Sequence, residues 1–263
     1  MLPFIEIGHI ELSTYVLNWV ILFVLSTLLL RRTFGELGLD KLHSEWLMCV
    51  TAVFGIAGAK LCAMVKFIVL NPTSDLATTF RNSGFASYGL IIFGLASVVV
   101  AMHKAKLPVL AVLDASIPMM MLAVMCGRFG CFLAGDGCYG GPTDLPWGIA
   151  YPVGVSPTSA RVHPTELYEI LSMLPIAHIL SMRFFAHRRK GFRFVLFVFL
   201  ISIVRFLLEF SRSARVNETV NMNIDQVVAI ILGVASGSIL VFHFFPRNNQ
   251  VTLPSIINQG KEI

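Results

Sequence analysis

An all-α integral membrane protein, with seven transmembrane helices and a small extracytoplasmic head, is the fold class this sequence predicts. Three observations lead there. The 263 residues are 56% hydrophobic and only 13% charged, with a mean hydropathy of +0.77. Soluble domains carry about 25% charged residues, so lipid is the expected solvent. Apolar runs near the ~20 residues that a bilayer-crossing helix needs recur along the chain, and Lys and Arg gather in alternate connections between them.

Seven segments carry the apolar pattern: Tyr15–Leu30, Trp46–Leu70, Gly84–Met102, Val109–Cys126, Glu166–Phe184, Phe192–Phe210 and Ile224–Phe244. Glu6 and Glu11 precede the first run, where a cleavable leader would place basic residues, so that helix is expected to stay as an anchor. No internal repeat or low-complexity tract divides the chain. Residues 1–263 read as one transmembrane domain, with the head at about 127–165 between the fourth and fifth helices. The tail after Pro246 is short and polar.

Twelve of the 20 Lys and Arg residues fall on one side of such a bundle, among them Arg31, Arg32, Lys104, Lys106, Arg188, Arg189 and Lys190. Five fall on the other: Arg81, Arg128, Arg161, Arg212 and Arg215. Lys60, Lys66 and Arg205 lie inside helices. By the positive-inside rule the twelve are cytoplasmic, which puts the N-terminus outside, the C-terminus inside and the head outside. The net charge of +5 is thereby an orientation signal and calls for no nucleic-acid partner.

The outward arginines stand in motifs. An Arg facing lipid at a helix centre costs roughly 2.5–3.5 kcal/mol, so one retained there needs a reason. Arg205, Glu209 and Arg212, at i, i+4 and i+7, share a helical face. Such a face serves as an interhelical ion-pair stripe or as a phosphate cradle, because the guanidinium fork holds two phosphate oxygens at once. GRFG at Gly127–Gly130 sets Arg128 between glycines at the outer end of the fourth helix, where they allow the backbone to turn and approach a ligand. GDGCYGG, with Asp136 and Gly140, reads as an amide-lined anion cradle or a plain re-entry turn.

In VHPTELYE, Pro164 opens a helix with Glu166 and Glu169 in its first turns, and His163 before it is an acid or base near neutral pH, or a loop histidine bonded to backbone. RNSGFASYGL brings Arg81 and Tyr88 to the same outer level, where Tyr15 begins the first helix. Single tyrosines at that level are commonly interfacial anchors. Lys60, deeper in its helix, is expected to face the bundle or a polar cavity.

Of the five cysteines, Cys49, Cys62 and Cys126 lie in apolar runs and read as packing residues. Cys131 and Cys138 flank the loop, where an oxidising compartment would allow them to pair; two free thiols are the other reading. A metal site uniting them with His163 has no recognised ligand spacing behind it.

GRFGCFLAGDGCYG, then PWGIAYP, HPTELYE and RFLLEFSR, in this order and at these separations, resemble the bacterial prolipoprotein diacylglyceryl transferases, from about Tyr15 to Gln226. Asp114 and Pro118 ahead of the glycine motif fit as well. The resemblance implies a multi-pass enzyme of the bacterial inner membrane. It would transfer the sn-1,2-diacylglyceryl group from phosphatidylglycerol to the lipobox cysteine in a prolipoprotein signal peptide and release glycerol-1-phosphate. It implies no cofactor and no metal. The family's essential arginines fall on Arg128 and Arg205, with Glu209 and Arg212 accompanying the second, and its first-helix tyrosine falls on Tyr15. The expected catalytic set is Arg128, Arg205, Tyr88 and His163. The expected substrate-binding set is Tyr15, Arg81, Gly127, Gly130, Asp136, Gly140, Glu209 and Arg212.

The chain departs from the family pattern in places. Tyr88 stands where members usually have a histidine, Cys131 and Ala134 replace asparagines, and Asp136 replaces a longer acid. An ordinary tyrosine, with a pKa of about 10, is a poor base at neutral pH. Either Tyr88 only orients substrate, or His163 or Asp136 takes the proton, or the chain is a diverged paralogue with another acceptor or none. A polytopic lipid- or anion-binding or transport protein using the same arginines is the alternative of another class.

Overall fold

Most of the described chain is helical, with one hairpin ahead of the first helix and a polar insert between two later ones. The computed structural model describes residues 4–7, 10–84, 86–182, 189–213 and 224–244. A short hairpin leads in, β1 (Phe4–Ile7) pairing antiparallel with β2 (Ile10–Ser13). It runs directly into α1 (Thr14–Glu36). Gly38 ends that helix in the left-handed region at φ 67°, with its N–H donating to the Gly35 carbonyl and the Leu39 N–H to Phe34. This is the doubly bonded glycine stop that satisfies a helix's last carbonyls.

The Asp40 carboxylate accepts from the Leu42 N–H at 3.0 Å and starts α2 (Lys41–Leu70). At 30 residues α2 is about 45 Å long, enough to outreach a hydrocarbon core. After α3 (Leu76–Asn82), α4 (Ser87–Lys104) lies along α2. Glycines allow the close approach: a Cβ on Gly89 would strike the Gly58 carbonyl, and one on Gly58 would strike the Phe93 ring.

The expected Val109–Cys126 helix is broken and displaced. It comprises α5 (Val109–Ala115) and, past Ser116, α6 (Ile117–Ala134). Pro118, lacking an N–H, takes the first turn of α6, where that donor has no helical partner anyway. The chain then crosses a non-helical insert and returns in α7 (Thr165–Ser181), α8 (Phe192–Ser213) and α9 (Ile224–Ile239), the last running into a wider π-type turn. Asp114 joins distant parts. Its two carboxylate oxygens accept the Gly191 and Phe194 N–H groups at 2.6 and 2.8 Å, capping α8 from α5.

Among the described residues, two larger apolar clusters lie inside the bundle, beside a smaller one that pairs Phe192 with Leu240. Phe34, Leu47, Met102 and Val112 join α1, α2, α4 and α5; Met121, Met173, Ile176 and Phe197 join α6, α7 and α8. Outward, large apolar side chains stand bare, including Val53 at 64%, Val69 at 73% and Phe242 at 84% exposure. A soluble monomer does not sustain such surface, so this is a multi-pass membrane protein.

Among the described residues, five helical stretches are long and apolar enough to cross: Val16–Glu36, Lys41–Val69, Ile117–Ala134, Phe192–Arg212 and Asp225–Phe242. The other two expected spans correspond to α4, whose apolar stretch Ile92–Lys104 is shorter, and to α7, of 17 residues with two acids near its start. The two hairpins are additions to the all-α expectation.

The insert of residues 135–164 contains the second hairpin, β3 (Ile149–Tyr151) against β4 (Thr158–Val162). Tyr139, Tyr151 and Val162 form its small core, with the tyrosine rings 4.7 Å apart. Backbone bonds from Gly140 N to His163 O at 2.8 Å and from Gly141 N to Ser211 O at 2.9 Å fasten it to the start of α7 and the end of α8.

Candidate active site

Thr165, Glu166 and Glu169 recur at i, i+1 and i+4 at the start of α7, and all three are buried. A carboxylate out of water needs cations and donors around it. Arg128 of α6 places Nε 2.7 Å from Glu169 Oε2. From α8, Arg205 donates through Nη1 to both Glu169 oxygens at 3.2 Å, and Arg212 brings Nη2 to 3.6 Å. Three guanidinium groups from two helices thus surround one carboxylate presented by a third.

Glu169 is only 3% exposed, whereas Arg128 keeps 21%, Arg205 25% and Arg212 15% of the side chain open. The cluster therefore has a buried anionic floor and a partly open cationic rim. More distant acids complete it: Glu209 stands 3.8 Å from Arg212 and Asp225 3.9 Å from Arg205. Arg212 Nε also donates to Thr165 Oγ1 at 3.2 Å, and that hydroxyl in turn donates to the Cys138 carbonyl at 2.6 Å. The arginines are thereby bonded, through Thr165, to the insert.

Arg128 and Arg205 meet as the sequence led us to expect, but they meet on a carboxylate. Glu169 was read there only as a helix-start residue; its signal was the spacing that puts it on the face of Thr165. Gly127 and Gly130 differ from expectation. Both lie within α6, so the backbone does not turn at GRFG. The turn comes at Gly135, left-handed at φ 56°. An i→i−4 hydrogen-bond ladder already formed through Arg128 carries the helix past the glycines. A Cβ on Gly127 would meet nothing within 4 Å, whereas one on Gly140 would lie 2.6 Å from the Ser211 carbonyl oxygen and 2.9 Å from His163 Cβ. Gly140 is thus required for docking the insert onto α8.

His163 sits beside the cluster, two residues before Thr165. Its Nδ1 is 3.2 Å from the Tyr168 hydroxyl, which also accepts from Trp147 Nε1 at 2.8 Å. These residues line an open cavity of about 740 Å³ that is mostly apolar and extends to Leu171 and Ser211. Asp136 turns inward to its own loop, its Oδ1 accepting from the Cys138 N–H at 3.0 Å. Cys131 and Cys138 are free thiols. Glu166, fully buried, accepts from the Tyr151 hydroxyl at 3.3 Å, while its other oxygen has no partner. Burial first, and then the neighbouring Glu166 carboxyl, raise the pKa of the Tyr151 hydroxyl.

Arg81 is exposed at the end of α3, and among the described residues the ion pairs of the arginine cluster do not include it. Lys60 does turn toward a neighbour, its Nζ 3.3 Å from the Gly84 carbonyl and over the Phe80 ring. The side chains of Tyr15 and Tyr88, on α1 and α4, lie outside the described ones, as do Arg183, Arg188, Arg215 and the tail after Pro246.

A family model described as prolipoprotein diacylglyceryl transferase matches residues 3–242. The chain is 31% identical over 216 residues to a Clostridium tetani protein named phosphatidylglycerol–prolipoprotein diacylglyceryl transferase, covering 80% of this chain and 85% of that one. A Geobacter sulfurreducens protein of the same name is 30% identical over 220 residues, with coverage of 80% and 81%. A Clostridium perfringens protein, named with the suffix 2, is 29% identical over 208 residues, covering 78% of each.

Proposed function

The chain belongs to the prolipoprotein diacylglyceryl transferase family, and on that premise we propose that it moves a diacylglyceryl group from phosphatidylglycerol to the lipobox cysteine of a prolipoprotein. The convergence of Arg128, Arg205 and Arg212 over Glu169 is the observation that supports this reading. The acceptor thiolate attacks the lipid's glycerol carbon. A carbon–sulfur bond forms, the bond from that carbon to the phosphate oxygen breaks, and glycerol-1-phosphate departs with the electron pair.

Negative charge therefore grows on the leaving phosphate. Fixed guanidinium groups that bind it more strongly in the transition state lower the barrier without moving. Glu169 holds the three like charges in place beforehand, and the open edges of Arg128 and Arg205 face the head group. The same positive field favours the acceptor's thiolate. His163 takes the thiol proton, with Tyr168 orienting its ring through Nδ1. The apolar cavity beside it receives substrate hydrocarbon.

In the membrane, α4 and α7 complete seven crossings, the N-terminus is outside and the C-terminus cytoplasmic, and the insert forms an extracytoplasmic head. The twelve-to-five split of Lys and Arg supports that orientation. Incubating the purified protein with labelled phosphatidylglycerol and a lipobox peptide tests the function. Lipidated peptide and released glycerol phosphate are expected. Lipid binding without transfer would replace the enzyme with a lipid-binding protein, and lipid consumed without peptide modification would point to another acceptor.

A further inference from the structure

The end of α6 holds a second constellation that the transfer reaction does not use. The sulfur atoms of Cys131 and Cys138 and a carboxylate oxygen of Asp136 all lie within 4.8 Å of one another. We propose that these three residues form a site for a thiophilic divalent cation of the zinc class.

The donor set selects that class: two sulfurs and one carboxylate oxygen suit zinc-like ions, whereas magnesium and calcium take oxygen shells. In a tetrahedral zinc site with ligand bonds of about 2.0–2.3 Å, neighbouring ligand atoms stand about 3.5–3.8 Å apart, so side-chain rotation by an ångström or so closes the site. The geometry is supplied locally. Cys131 is buried in the last turn of α6. The left-handed Gly135 then reverses the chain, and the Asp136 bond to the Cys138 N–H holds the carboxylate beside the second sulfur. A disulfide would use the two sulfurs alone, whereas a cation would use all three donor groups.

Arg128 stands three residues before Cys131 and so on the same side of α6. A divalent ion with two thiolates and a carboxylate has a net charge of −1, which complements that guanidinium. Three protein ligands leave a fourth position to solvent. An occupied site would staple the helix that carries Arg128 to the insert above it.

The test uses the full chain in detergent, reduced and chelator-stripped, with Cys49, Cys62 and Cys126 replaced by Ala, and titrates cobalt(II) and then zinc. Cobalt uptake with sulfur-to-metal charge transfer in the ultraviolet and tetrahedral d–d bands in the visible is expected, with zinc displacing it. Cys131→Ser and Cys138→Ser should each weaken binding by more than about 10-fold and diminish the sulfur bands. Asp136→Asn should weaken binding yet keep those bands. Cobalt bound without sulfur bands, no uptake by a helical protein with both thiols titratable, or a Cys131–Cys138 disulfide in freshly isolated protein would each overturn the site. The parent spectrum decides even where a serine variant does not fold. No lipid substrate enters the measurement, so failure to transfer lipid leaves this site standing, and loss of the site leaves the transferase reading standing.

Discussion

Arg128 Nε lies 2.7 Å from Glu169 Oε2, and the same oxygen accepts from Arg205 Nη1 at 3.2 Å. Arginines on α6 and α8 are thus fixed relative to each other by an acid on α7. Their mutual repulsion is offset by a carboxylate that water scarcely reaches, and each retains an open edge.

Replacing either arginine tests the phosphate role directly. Arg128→Lys preserves the charge and removes the planar fork; Arg205→Ala removes both. Each should lower kcat/KM by about 100–1,000-fold, the usual cost of a missing oxyanion donor, while the protein still inserts and keeps its helix content. Near-normal turnover in either variant would remove the phosphate site from the mechanism.

Glu169→Gln should damage both stability and transfer. It leaves three guanidinium groups facing one another around a neutral amide, and breaking a buried pair costs about 3–5 kcal/mol, an upper figure here because the arginines are partly solvated. The measurements are Tm and transfer rate in the same detergent. An unchanged Tm would show that the carboxylate does not organise the cluster.

Two glycines of the same motif should respond oppositely. Gly140→Ala drives a Cβ against the Ser211 carbonyl and His163, which should lower stability by about 1–3 kcal/mol. Gly127→Ala meets open space inside a helix and should raise helix stability by up to about 1 kcal/mol. If Gly127→Ala folds normally yet loses transfer, Gly127 is contacting substrate, as the family resemblance implied.

Asp114→Ala removes the cap on α8 supplied from α5. A loss of about 0.5–2 kcal/mol is expected, seen as earlier thermal unfolding and faster amide exchange at Gly191 and Phe194. Asp114→Asn, which keeps one acceptor oxygen, should lose less. Equal exchange in both variants and the parent would show that the cap is not formed in the membrane.

Much of the site was legible before the fold. Arg128, Arg205 and Arg212 stand out because charge in an apolar helix is costly and rarely retained without a partner, and their spacing places the latter two on one face. Glu169 was harder to see, since acids in a first helical turn are ordinary. Only its burial and three partners distinguish it. The helical continuation through GRFG was also missed, because glycine weakens a helix by only about 1 kcal/mol and packing between α1, α6 and α7 overrides it.

The sequence by itself determined the solvent, the succession of apolar helices and the residue types able to hold a phosphate, because composition, period and charge placement are one-dimensional properties. Which acid the arginines share, where α6 stops, and that Asp114 caps a helix some 77 residues away were decided by tertiary structure alone. Those pairings join helices distant along the chain, and it is the packing of α6, α7 and α8 around Met121, Met173 and Phe197 that brings their polar ends within bonding distance.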